Sequence, residues 1–128
     1  MRYIVLLSSI CLFCISCSHL SRSEDDLRQQ YLAITEPGIN MEQAVSLIKK
    51  KIQPEGELQV RTNTPCLDRE KPALQKGSAS IKVNLGWYFW GVTRTTTYGE
   101  WCFNEFDHLV DIVVYKSFDD QQLQNTQN

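Results

Sequence analysis

Three cysteines within seven residues, Cys11, Cys14 and Cys17, are the first side chains whose type and spacing could do chemistry. A C-x-x-C-x-x-C run can supply thiolates to a soft metal or form a redox pair. These three sit in the most apolar stretch of the chain, with no histidine or carboxylate interleaved, so metal or redox chemistry is the weaker reading. Two histidines are present, His19 near the N-terminus and His108 beside Asp107. A Ser-His-Asp arrangement would need a serine on a strained elbow, and no G-x-S-x-G occurs. Asp107-His108 therefore reads as a solvated turn, and Asp68-Arg69-Glu70 as a solvated loop. No metal spacing, phosphate loop or dinucleotide fingerprint appears. The expectation is a protein that is not an enzyme, with no catalytic residues, no metal and no cofactor.

The elements that carry these residues begin with a targeting segment. Met1-Arg2 supplies one positive charge, and residues 3–16 then run without a charge. That is a basic start followed by an apolar stretch of signal-peptide length, shorter than the roughly 20 residues a membrane span requires. After Cys17 the chain turns polar, SHLSRSEDDLRQQ. Cys14-Ile15-Ser16-Cys17 resembles the lipobox of bacterial lipoproteins, in which cleavage precedes a cysteine that then carries lipid. Ser16 fits the small residue before the cut and Ile15 the position before that, while Cys14 stands where leucine is usual. The resemblance implies a signal peptide over residues 1–16, lipid attachment at Cys17 and a tether over 17–23. Two or more acyl chains, palmitate among them, would make membrane anchoring stable. Ser18 stands where aspartate would mark retention at the inner membrane, which implies an outer-membrane, periplasm-facing protein.

Once Cys17 is assigned to lipid, Cys66 and Cys102 remain as an even pair in an oxidising compartment and read as one disulfide. Closing that loop is worth roughly 4 kcal/mol in the chain-entropy model. The 128 residues suit a signal segment and one domain with one core. The net charge is −2 with both signs interspersed, which is no nucleic-acid footprint. Lys49-Lys50-Lys51 is the one basic run. It reads as positive charge suited to a helix C-terminus rather than as a phosphate or lipid-headgroup patch.

Ser23 starts a capping pattern, and Leu27, Tyr31 and Ile34 recur at helical spacing, which predicts a helix over 24–35 ended by Pro37-Gly38. Asn40 and Gln43 cap a second helix over 41–52, with Met41, Ala44, Val45, Ile48 and Ile52 as its apolar stripe. Leu58, Val60 and Thr62 alternate as a strand, and residues 63–77 read as a long loop pinned by Cys66. Ile81, Val83, Leu85, Trp87 and Phe89 form the apolar face of a strong strand, with Lys82, Asn84, Tyr88 and Trp90 on the other face and Gly91 as a turn or bulge. Residues 92–104 are its partner strand, and residues 109–115 are the last, with Val110, Ile112 and Val114 on one face. Residues 118–128 are expected to be a disordered tail. The fold class is α+β: a two-layer sandwich of one or two N-terminal helices on a three- to four-stranded antiparallel sheet, as a single domain over 24–117.

The run Pro37-Gly38-Ile39-Asn40-Met41-Glu42-Gln43-Ala44-Val45 and the strand Gly86-Trp87-Tyr88-Phe89 resemble the SmpA/OmlA group of small outer-membrane lipoproteins. Where that group has Leu-Gly-Pro after the helix, this chain has Lys-Lys-Lys-Ile-Gln-Pro, and the loop 63–77 and the cysteine pair are additions. The resemblance implies a similar fold and a scaffolding role through protein contact. Tyr88, Trp90 and Tyr98 are the candidate protein-binding residues, placed on the sheet face away from the helices, or else covered by the first helix or the tail. Residues 93–97, TRTTT, are either an exposed strand edge or a polar strand face. The expected function is that of a lipid-anchored envelope protein acting by protein–protein binding, its partner an envelope protein. The alternative is an immunity or inhibitor lipoprotein that blocks a periplasmic hydrolase.

Overall fold

The computed structural model describes residues 19–67 and 75–118. The expected signal peptide, Cys17, the Asp68-Arg69-Glu70 triplet and all of the expected tail but Phe118 lie outside the described residues.

Helix α1, Glu24–Ile34, starts where Ser23 accepts a hydrogen bond from the Asp26 backbone N–H at 3.1 Å. Glu24, Asp25 and Asp26 place negative charge against the positive end of the helix dipole. The helix stops at Thr35, whose backbone N–H and hydroxyl both donate to the Tyr31 carbonyl at 2.8 Å. Helix α2, Met41–Leu47, carries the reciprocal cap expected of Asn40 and Gln43. It does not run on as α-helix to residue 52. Its last turn, Ile48–Ile52, is a π turn closed by the Gln53 N–H to the Ile48 carbonyl at 3.0 Å. Pro54 has no N–H with which to extend the ladder, and Gln53 turns left-handed at φ 52.

Four antiparallel strands form the main sheet in the order β1-β4-β5-β6: β1 is Gln59–Arg61, β4 Ala79–Trp90, β5 Thr93–Phe103 and β6 Leu109–Phe118. The region read as one loop contains a small second sheet, β2 Cys66–Leu67 paired with β3 Gln75–Lys76. Cys66 and Cys102 are fully buried and at disulfide distance, with Cα atoms 5.7 Å apart, so the small sheet is tied to the C-terminal end of β5. Phe118 belongs to β6, paired with Thr95, rather than to a tail.

Both helices cover one face of the sheet. Leu27, Tyr31, Ala44 and Ile48 pack on Ile81, Val83, Trp101, Phe103, Ile112 and Val114, all of them buried. Trp101 is fully buried and donates its indole N–H to the Thr35 hydroxyl at 2.8 Å. The α+β reading of the sequence holds at this level.

The face expected of the last strand is broken by a bulge. Cys102 pairs with Asp111 but Phe103 with Leu109, so Val110 falls out of register. Leu109 and Ile112 are buried and Val110 is exposed. The bulge also aims Asp111 at two cations, Arg28 of α1 and Lys76 of β3, each at 2.7 Å, while the carboxylate accepts the Ile112 N–H at 2.8 Å. Arg28 also donates to the Ile112 carbonyl at 3.1 Å. Burial would raise the Asp111 carboxyl, but the hydrogen bonds from Lys76, Arg28 and Ile112 outweigh it and hold it below its ordinary value. A carboxyl lowered in the folded state stabilises above its unfolded value of about 3.9, and that stabilisation is lost as pH falls through the folded value. Asp111→Asn will therefore cost about 1–3 kcal/mol near pH 7. Urea titrations at falling pH will show the gap from wild type closing below about pH 4. A gap independent of pH would separate the loss from the charge.

Candidate binding groove

The alternation along β4 breaks at Gly86. Asn84 pairs with Tyr98 and Gly86 with Thr97, so Leu85 is an extra residue. Glycine serves this position because φ is +124° and a Cβ here would lie 2.9 Å from the Leu20 side chain. The bulge inverts the faces of everything beyond it. Gly86, Tyr88 and Trp90 register with Thr97, Thr95 and Thr93, on the face that carries Gly99 and Trp101 beneath the helices. Trp87 and Phe89 register with Thr96 and Arg94 on the opposite face. There the two rings meet edge to face at 5.4 Å, and the Arg94 guanidinium lies 4.7 Å over Trp87. The expectation that Tyr88 and Trp90 face away from the helices is thus corrected by one unpaired residue.

The three candidate contact residues are not one patch. Tyr88 accepts a hydrogen bond from the Lys116 ammonium at 3.0 Å, and that ammonium also donates to the Arg22 carbonyl at 2.6 Å. Trp90 is 72% exposed. Tyr98 lies on the other face, stacked on Tyr115 at 5.5 Å and capped by Lys82 at 4.9 Å. Residues 95–97 are no edge, because they pair with β4 on one side and with Lys116–Phe118 of β6 on the other, with Thr95 and Thr97 fully buried. The open edge belongs to β4. Among the described residues its pairing with β1 ends at Lys82, and the last backbone contact on that side is the Glu55 N–H to the Asn84 carbonyl at 3.0 Å.

A groove of about 850 Å³ runs along this edge. Its walls are Tyr31 and Ile34 of α1, Ile52 of the π turn, Leu20 of the N-terminal segment, and Leu85 and Trp90 of β4. The N-terminal segment is docked rather than loose: His19–Ser21 form one 3-10 turn, and His19 Nε2 lies 3.4 Å from the Tyr31 hydroxyl. Burial, with Arg22 nearby, lowers the His19 imidazole below its ordinary value. Burial raises the Tyr31 phenol. The described charged groups on the lining are cationic or titrate to cations, Lys51 and His19, with no carboxylate.

The other polar candidates stay apart from this groove. His108 and Asp107 are exposed in the turn after β5, where Asn104 Oδ1 accepts the Phe106 and His108 N–H groups at 2.9 and 3.0 Å. Among the described residues no three His, Cys, Asp or Glu side chains gather at metal-binding distance, and no helix is long and apolar enough to cross a membrane. The groove itself was not read from the sequence; its one local signal was a glycine inside a strong strand pattern, the usual mark of a bulge. No protein-family model, curated protein or solved structure matches the chain.

Proposed function

We propose that this chain is a lipid-anchored protein of the cell envelope, attached at Cys17 to the outer membrane and acting by binding a protein partner in the groove beside β4. The observation that carries the partner reading is an apolar groove lying against a strand edge that is unpaired among the described residues. A partner segment in extended form would find backbone donors and acceptors along β4 and apolar walls from Ile34, Ile52 and Leu85. The address rests on the lipobox resemblance, and the SmpA/OmlA resemblance supports a scaffolding form of the same role.

A photo-crosslinking amino acid at Gln30 or Lys51, both on the groove lining, tests the binding in intact cells. Crosslinks from both positions to one envelope protein, absent from the exposed control position Gln59, are the expected outcome. Crosslinks to no protein would sink the partner reading. Mass analysis of the Cys17 peptide tests the anchor separately.

A further inference from the structure

The large exposed apolar side chains are unevenly placed. Of the nine among the described residues, five lie at one end of the molecule: Trp87, Phe89, Trp90, Val92 and Phe118, with Val92 98% exposed at the hairpin tip. Gly91, at φ +62°, leads the two-residue turn between Trp90 and Thr93, where a leading glycine is favoured. Trp settles at a bilayer's headgroup level, and Trp and Phe opposite Lys or Arg make the apolar face of elements that lie in the interface. Arg94 lies over Trp87, and Lys51 stands on the groove wall, where the described lining has no carboxylate.

The first described residues lie beside this same surface. Leu20 packs against Gly86, the base of the aromatic segment. Cys17 precedes Leu20 by three residues, an extended reach of at most about 11 Å. The strand from Gly86 to the turn at Gly91 covers about 17 Å. A lipid at Cys17 thus holds the hairpin tip within reach of the bilayer, and an interfacial element sinks only about 5–10 Å.

We propose that the β4–β5 hairpin tip is a membrane-contact surface, its Phe89, Trp90 and Val92 side chains lying in the interfacial layer of the bilayer that carries the anchor, with Arg94 and Lys51 toward anionic headgroups. This rests on the lipid-anchor reading and deepens it, because it fixes which end of the domain meets the membrane. The groove then opens beside the bilayer surface, and a partner bound there is itself close to the membrane.

The test uses the mature chain from residue 17 in two forms, lipidated and Cys17→Ser; the described residues 19–67 and 75–118 carry the helix–sheet core. Vesicles of phosphatidylcholine and phosphatidylglycerol with brominated acyl chains are the probe. Trp101 is fully buried, so tryptophan quenching by bromine reports Trp87 and Trp90. Lipidated protein should lose at least half of its quenchable emission, and Trp87→Phe with Trp90→Phe should abolish the effect. The Cys17→Ser form should still partition onto the vesicles, and Phe89→Asp with Val92→Asp should weaken that at least tenfold without moving the thermal midpoint. Lipidated protein bound to vesicles with unquenched emission would overturn the proposal while leaving the anchor intact. So would emission that shifts only on adding an envelope protein, or only with protein concentration in the absence of vesicles. An unlipidated Cys17 in the native protein with quenching still present would fail the anchor and keep the membrane contact.

Discussion

Trp101→Ala will lower the stability of the domain by about 3–5 kcal/mol, much of the ~5–15 kcal/mol that holds a domain of this kind together. The indole is the largest fully buried side chain, and it sits where the helices meet the sheet. Its ring lies 5.8 Å from that of Tyr31, and Gly99 leaves the space it occupies: a Cβ there would come within 2.6 Å of the indole. Alanine would leave a cavity that α1 cannot fill without losing the contacts of Leu27 and Tyr31 with the sheet. It would also strip Thr35 of the hydrogen bond it accepts. Trp101→Phe separates the two losses, since it keeps most of the volume and loses the N–H, for which about 1 kcal/mol is expected beyond the area term. Urea unfolding followed by circular dichroism measures both. A cost below 1 kcal/mol for the alanine variant would show that the core closes without the indole.

The second large effect is at Cys66 and Cys102. The double variant Cys66→Ala, Cys102→Ala will be less stable by about 4 kcal/mol, because a cross-link across 36 positions removes that much freedom from the unfolded chain. Both side chains are fully buried, so alanine introduces no polar group and little added cost. The bond also holds β2 and β3, only two residues each, against β5. Reductant should shift the wild-type urea midpoint to that of the double variant and leave the double variant unmoved. Equal wild-type midpoints with and without reductant would mean that no bond forms in the purified protein.

What could be read from the sequence was what repeats. Caps announced both helices, because Ser23 and Asn40 precede apolar residues at helical spacing. Two-residue alternation announced β4, β5 and β6, and the helix stripe of Ala44 and Ile48 announced which layer covers them. The pairing of Cys66 with Cys102 followed from counting cysteines. What broke the repeat was not legible. One residue out of register at Leu85 exchanges the faces of Tyr88 and Trp90 with those of Trp87 and Phe89, and another at Val110 does the same to the start of β6. A period of two carries no mark of where it slips, except that a glycine stood at the first slip. The groove was out of reach for a different reason. Its walls come from four separated segments, and only the packed fold brings Leu20 and Ile52 to the same strand edge.

The docking of residues 19–22 has a mechanical meaning. A free polar tether would let the domain swing and tumble about its anchor, and load on the lipid would be absorbed by slack chain. Here slack ends at His19. Beyond it Leu20 is seated on Gly86, and the Arg22 carbonyl takes the Lys116 ammonium that also holds Tyr88. With lipid on Cys17, any pull from the membrane would enter the fold at β4 and β6 together rather than at one strand end. The domain would ride on the bilayer with one bearing surface and little play, and tugging on the anchor would strain the wall of its own groove before it unfolded anything.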